Sequence, residues 1–375
     1  MDCDCSKMSL GKKVGKDMQS KVGIKECHTY DVHQLYESLQ DLFRFLGGIE
    51  RFIQPGDKVL LKVNLTGPFE PKQGATTHPA LVQAIVKILK EQGACPVIAD
   101  GPATILSPLE ITGMNEVAKE EDVAAYILKD YEPVINEGNL IVEKIMYSSD
   151  VLKADKVITI PKLKTHALTL FTGAIKNSFG SVAYEQRKSL HAYRRIEEFS
   201  KVLVDVFRIR VPDLCIIDGI LGIDGIGPVH GNPNYYNVLL ASSDPVAIDT
   251  VGATLLGYNA QDILMIQEAA KLNLGENDIS KIIFNCDHKE FITKKPNIIP
   301  HFTGTRRENF IRHVMGKVEF NETKCVKCGE CQNGCPGNAI ILFPEQKVDE
   351  KLCLHCLRCY EVCHRGAVRI NYKRL

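Results

Sequence analysis

The chain has 375 residues, 45% of them hydrophobic and 25% charged, and its formal net charge is zero. That is ordinary globular composition with room for two domains, and the neutral balance excludes a bulk electrostatic pull toward nucleic acid or a membrane surface. No apolar run approaches the roughly 18 to 20 residues that span a bilayer, and the opening MDCDCSKMSLGKKVGKDMQSK lacks the apolar stretch of a secretory leader, so the expectation is a cytoplasmic protein with a disordered tail over 1–20.

From Lys21 onward apolar strands alternate with helical patterns. Lys21 to Cys27 reads as a strand, and Val32 to Leu46 as a helix closed by Gly47-Gly48. Pro55-Gly56-Asp57 turns into a strand over Lys58 to Leu65. His78-Pro79 opens a helix with proline at its first position, an apolar face of Leu81, Val82, Ile85, Val86 and Leu89, and a stop at Gly93. Further strands are expected at Cys95–Ala99, Leu140–Met146, Lys156–Ile160, Leu214–Ile217 and Val238–Ala241, with helices at Thr169–Ser178, Arg194–Arg208, Asp244–Leu256 and Asp262–Leu274. This alternation over 21–286 predicts a doubly wound α/β domain with a largely parallel sheet. Residues 287–316 are basic, proline-containing and irregular, and read as a linker or a strap.

Residues 317–375 hold eight of the fourteen cysteines, in two copies of one spacing offset by 28 residues. Cys325-x2-Cys328-x2-Cys331-x3-Cys335-Pro336 is followed by Cys353-x2-Cys356-x2-Cys359-x3-Cys363, with His364 where a second proline is usual. Three cysteines spaced by two residues let one loop hold three corners of a 4Fe–4S cubane, and the fourth comes from the other run. Cys325, Cys328, Cys331 and Cys363 are therefore assigned to one cluster, and Cys353, Cys356, Cys359 and Cys335 to a second, in a small α+β ferredoxin-like domain. Gly329, Gly334 and Gly337 leave backbone N–H groups near the sulfurs, where they tune the potential. Zinc takes CxxC pairs, but a third cysteine at the same spacing and a fourth three residues later suit it poorly. Disulfides need an oxidising compartment. Clusters kept only for structure stay open. Of the other six cysteines, Cys3 and Cys5 lie in the tail, and Cys27, Cys95, Cys215 and Cys286 read as small buried hydrophobes.

Open α/β sheets bind ligands beyond the carboxyl ends of their strands. Those positions carry Lys62 and Asn64, Asp100, the segment Pro161 to His166 with Lys162 and Lys164, and Asp218 and Asp224; His78, Lys176 and Asn177 stand at helix ends. If they converge, a lysine-rich crevice in a neutral protein predicts an anionic ligand, a carboxylate or phosphate. Lys162, Lys164 and His166 are the catalytic candidates. Lys62, Asn64, His78, Asp100, Lys176, Asn177, Asp218 and Asp224 are the substrate-binding candidates. The bland alternative is ion pairs and turn hydrogen bonds. No G-x-G-x-x-G follows a strand, and no Walker A, H-E-x-x-H or G-x-S-x-G is present.

The stretches GDKVLLKVNL, TTHPALVQAIVKILKEQGA, VITIPKLKTHALTLFTGAIKNSFG and DGILGIDGIGP resemble the DUF362 family, a domain of unknown function often fused to a two-cluster ferredoxin module. The resemblance implies iron–sulfur binding but no established reaction, so it supplies no catalytic residue. Three functions compete. A ferredoxin-dependent oxidoreductase would relay electrons from a low-potential partner protein to an anionic substrate, with Lys or His as proton donor. A carrier or adaptor would dock a partner or sense a metabolite without turnover. A non-redox enzyme would keep its clusters for structure.

Overall fold

Strand β1 (Lys21–Glu26) opens the large domain in the computed structural model, which describes residues 19–193, 195–293 and 315–372. Asp31 accepts a hydrogen bond from Gln34 N at 2.9 Å and starts the helix Val32–Leu46. Leu35, Leu39, Leu42 and Leu46 recur along it at helical spacing and are all buried. Next come β2 (Lys58–Val63), the helix Pro79–Glu91, β3 (Cys95–Asp100) and β4 (Ala124–Ile127). A hairpin of β5 (Tyr131–Ile135) and β6 (Lys144–Ser148) stands apart from the main sheet. The remaining strands of this domain are β7 (Lys156–Ile160), β8 (Lys162–His166), β9 (Leu170–Thr172), β10 (Leu214–Asp224), β11 (Asn232–Ser242) and β12 (Ile283–Phe284).

The main sheet runs β12-β1-β11-β10-β7-β2-β3-β4, with β8 paired to both β10 and β9. β10, β7, β2, β3 and β4 are parallel to one another, whereas β11 is antiparallel to β1 and β10. The doubly wound, largely parallel α/β layer is therefore present. Strand alternation divides its core in two. Val59, Leu61 and Val63 of β2 pack with the helices Val32–Leu46 and Pro79–Glu91, while Leu60 joins the core of the helices Ile196–Phe207, Pro245–Leu255 and Leu264–Lys271. Each such fully buried side chain is stabilised by about 1.5–3 kcal/mol relative to exposure.

Several elements differ from expectation. Lys162–His166 is itself a strand, not a tail beyond β7: Pro161 interrupts the run, and the chain continues beside β10 with Lys162 opposite Asp218. Gly222 lies in that ladder because a Cβ there would meet Leu163 O at 2.0 Å. β10 and β11 are longer than their apolar cores, since the antiparallel ladder continues through Asp224 and Asn232. Of the expected helix Thr169–Ser178 only Ala174–Asn177 is α-helical, running on into a 3-10 turn over Ser178–Ser181; Leu170–Thr172 pairs with β8, and the buried Asp249 carboxylate takes Ala174 N at 2.6 Å and Ile175 N at 3.0 Å. The strand expected from Leu140 begins at Lys144, because Asp205 accepts the N–H groups of Leu140, Ile141 and Val142 at 2.7, 2.7 and 2.8 Å. Helices Met114–Glu121 and Tyr184–Leu190 are additions. Cys27 and Cys215 are buried as expected, but Cys95 is exposed and Cys286 only half-buried.

The cysteine-rich module contains β13 (Met315–Phe320), β14 (Ile340–Ile341), β15 (Lys347–Val348) and β16 (Val368–Tyr372), paired β13 with β16 and β14 with β15. Two short helices, Glu330–Asn333 and Arg358–Val362, carry cysteines. Val318, Leu342, Val362 and Ile370 belong to the same buried cluster as the large domain's second core. Residues 287–293 lie on the large domain, with Thr293 N donating to Leu255 O at 2.9 Å. Residues 294–314 of the expected linker, and 1–18 of the expected tail with Cys3 and Cys5, are outside the described residues. Among the described residues no helix is long and apolar enough to cross a membrane.

Candidate functional site: a basic cavity under the cysteine-rich module

Parallel pairing sets Lys62 of β2 beside the end of β3, where its ammonium forms a buried ion pair with Asp100. Lys62 Nζ also donates to Asn177 O at 3.0 Å, and Asn177 Nδ2 returns a bond to Lys62 O at 3.0 Å. Asp100 takes Leu65 N at 2.7 Å and Gly101 N at 2.8 Å. A Cβ on Gly101 would lie 2.2 Å from Gly180 O, so two backbones meet here only because one residue lacks a side chain.

In front of this pair, Lys164 Nζ donates to Asn64 Oδ1 and Ala75 O, both at 2.7 Å, and has no carboxylate partner among the described residues. Burial, followed by the charges of Lys176 and Lys162, pushes its ammonium down to about 7. Lys176, half-buried on the short helix Ala174–Asn177, makes no hydrogen bond or ion pair among the described residues. Arg187 donates to Gly101 O at 2.5 Å and Pro102 O at 2.8 Å.

The module closes the site. Arg358 donates to Ala103 O at 3.4 Å and lies 3.5 Å from His191 Nδ1. Glu361 Oε1 is 3.2 Å from His166 Nε2, within ion-pair distance but out of line for a hydrogen bond. Burial, reinforced by Lys176, holds the His166 imidazole down near about 4, so it is neutral at pH 7. Burial works against the Glu361 carboxylate, yet the surrounding His166, Lys176 and His191 hold it far below the usual carboxylate range. Between these groups lies a cavity of about 70 Å³ lined by four basic side chains, Lys164, Lys176, Arg187 and Arg358, against two acidic ones, Asp100 and Glu361. The Nε atoms of Arg187 and Arg358 are buried without a hydrogen-bond partner.

Of the expected site residues, Asn64, Asp100, Lys164, Lys176 and Asn177 line this cavity, Lys62 stands behind Asp100, and His166 sits against Glu361. Lys162, Asp218 and His78 do not reach it. They form a separate buried knot in which Lys162 Nζ meets Asp218 at 2.7 Å and Tyr30 OH at 2.8 Å, Asp218 takes His78 N at 3.0 Å, and the Tyr30 and His78 rings stack at 3.5 Å. A bulge in β10 causes the separation: Lys162 pairs with Asp218 but Lys164, two residues on, pairs with Ile223. Asp224 caps its own Gly225 N at 2.7 Å and stays outside the cavity. Arg187, His191, Arg358 and Glu361 were not expected. The available signal was the pair of charges flanking Cys359, which in sequence look like surface residues.

Cys325, Cys328, Cys331 and Cys363 line one apolar cavity, around which they are spread instead of converging as for a single metal ion. Cys335 lies near Cys356 and Cys359; burial first, and then this neighbour among others, raises both thiols. Lys327 N points at Cys325 Sγ (3.4 Å), Ala339 N at Cys335 Sγ (3.3 Å) and Ala367 N at Cys363 Sγ (3.2 Å). Donors aimed at sulfur favour thiolates, so the residues fit iron–sulfur ligation in the crossed arrangement. The module is seated through Glu330, which accepts from Ile105 N at 3.0 Å and Leu106 N at 3.1 Å, and through Tyr360 OH, which donates to Ile226 O at 3.0 Å.

Comparison with known proteins agrees with this division. The family described as domain of unknown function (DUF362) matches residues 59–254, and a 4Fe-4S binding domain matches residues 317–340, which hold the first cysteine run. A "Thylakoid-associated protein" of Synechocystis sp. is 31% identical over 276 residues, covering 72% of this chain and 85% of that one. The polyferredoxin protein MvhB of Methanothermobacter marburgensis is 34% identical over 54 residues, 14% of this chain and 13% of that protein. The lactate racemase apoprotein of Thermoanaerobacterium thermosaccharolyticum overlaps 61% of this chain and 55% of its own at 15% identity and a TM-score of 0.39, too loose a likeness to carry an argument. The chain belongs to the DUF362 family and joins its α/β domain to a ferredoxin-type 4Fe–4S domain, the equipment of iron–sulfur electron transfer.

Proposed function

We propose that the protein is a ferredoxin-dependent oxidoreductase that passes electrons, one at a time, to a small anion held in the basic cavity. One observation carries this reading. Arg358 and Glu361 line the cavity and also flank Cys359, so the ligand would sit within one helical turn of a cluster thiolate. Two 4Fe–4S clusters would be held by Cys325, Cys328, Cys331, Cys363 and by Cys353, Cys356, Cys359, Cys335. Once bound there, they would supply electrons in single steps from a low-potential partner protein. The chain's own residues hold and protonate the ligand: Arg187, Arg358 and Lys176 neutralise its charge, and Lys164, half-protonated near pH 7, stands ready to donate a proton. The expected location is the cytoplasm, whose reducing conditions keep the cysteines free for iron.

The test is anaerobic purification, iron and sulfide analysis, and dithionite titration followed by EPR. About eight irons per chain and two coupled reducible centres support the relay and justify a screen of anionic substrates for reduction. A single cluster, or clusters that do not reduce, would remove it. A second reading is favoured by the cavity's small size, about 70 Å³: an electron carrier that senses a small anion without converting it. Turnover of an anion by the isolated reduced protein separates the two.

A further inference from the structure

Building on the reading of the cavity as an anion site, we propose that its ligand is a small oxoanion, the size of phosphate or a short carboxylate. It is clamped between Lys164 and Lys176 of the large domain and Arg358 of the module. It is electrostatically coupled to the cluster assigned to Cys335, Cys353, Cys356 and Cys359.

Size favours a small ligand, because the enclosed space of about 70 Å³ holds only a few water-sized groups. Charge selects the sign. Arg187 and Arg358 are 4% and 2% exposed, the guanidinium of Arg358 makes only long polar contacts, 3.4 and 3.5 Å, to Ala103 O and His191, and Lys176 is unpaired among the described residues. Buried cations with few partners leave an excess of positive charge, so an anionic acceptor placed among them is stabilised by meeting several at once.

Coupling follows from position. Arg358 and Glu361 line the anion cavity from the helix Arg358–Val362, which also carries Cys359, whereas Cys325, Cys328, Cys331 and Cys363 line a separate cavity. Reduction adds one negative charge to a cluster, and in a poorly screened interior this opposes a neighbouring anion. The anion therefore lowers the midpoint potential of the adjoining cluster, and reduction of that cluster weakens anion binding by the same factor. The other cluster, whose four cysteines line a separate cavity, responds less.

The experiment uses the full chain, loaded with iron and sulfide without oxygen, and inorganic phosphate and acetate as probes. Calorimetry measures their affinity for oxidised and reduced protein, and EPR-monitored redox titration measures both midpoints with and without each anion. Lys176→Met serves as the variant, because Lys176 has no partner whose loss would unfold the chain. The expected result is at least tenfold tighter phosphate binding to the oxidised protein and a fall of about 59 mV or more in one midpoint, with both effects reduced in K176M. Binding without any midpoint change would overturn the coupling and leave the anion site standing. Binding that K176M does not weaken would overturn this location. Failure of both anions to bind in either state would overturn the anion reading itself.

Discussion

The Glu361 carboxylate rests 3.2 Å from His166 Nε2, and this contact joins the end of β8 to the helix that carries Cys359. A cysteine of the module and the polar end of the sheet are thereby held side by side, so a change of charge on one side is felt on the other.

The proposed crossed ligation makes a direct prediction about cysteine variants. Cys363→Ser is expected to damage the cluster assigned to Cys325, Cys328 and Cys331, and Cys335→Ser the other. By iron content and EPR, C363S should resemble C331S. A spectrum matching that of C359S would show that each run keeps its own fourth cysteine.

Lys164 gives stability a distinctive dependence on pH. Burial lowers its ammonium to about 7 in the folded chain, against about 10.4 when unfolded. Between those values the unfolded chain holds a proton that the folded chain lacks, so stability rises with pH. Below about 7 both states hold the proton and the burial penalty is complete. For this single group the slope approaches about 1.4 kcal/mol per pH unit at most. Urea unfolding of wild type and Lys164→Met at about pH 7 and about pH 9 should show the wild type gaining stability relative to the variant. Parallel curves would mean that Lys164 keeps its proton throughout.

Lys162 and Lys164 have opposite expected consequences. Lys162 and Asp218 are both wholly inaccessible and paired at 2.7 Å, so Lys162→Met strands a buried carboxylate and should cost about 3–5 kcal/mol. Phosphate affinity measured under native conditions should be unchanged, since the knot lies outside the cavity. A loss of affinity with unaltered stability would reverse the assignment of the two lysines.

Module seating depends on Glu330, whose carboxylate holds the N–H groups of Ile105 and Leu106. Glu330→Ala leaves these donors unmet and should cost about 1–3 kcal/mol. Cleavage by protease near the exposed Ile105 and Leu106 is expected to accelerate, with cluster content preserved. Unchanged proteolysis would show that Tyr360 and Arg358 suffice to hold the interface.

What could be read in the chain and what could not divides along sequence distance. The helix Val32–Leu46 and strand β7 appear with the bounds their patterns imply, because capping and period depend on near neighbours. Thr169–Ser178 was misread because its course depends on Asp249, some 75 residues away. Leu140–Val142 leaves strand geometry because of Asp205, more than 60 residues away. Lys164 was legible as a site residue, but its separation from Lys162 was not, since the bulge responsible lies in β10.

By itself the sequence determined the iron–sulfur chemistry and the α/β class, because a CxxCxxC loop and the alternation of strand with helix are local matters of spacing. Only the tertiary structure decided that Arg358 and Glu361 complete a basic cavity with Lys164, Lys176 and Arg187. Those groups come from the middle and the last part of the chain, and burial decides which charges find partners and which remain open to a ligand.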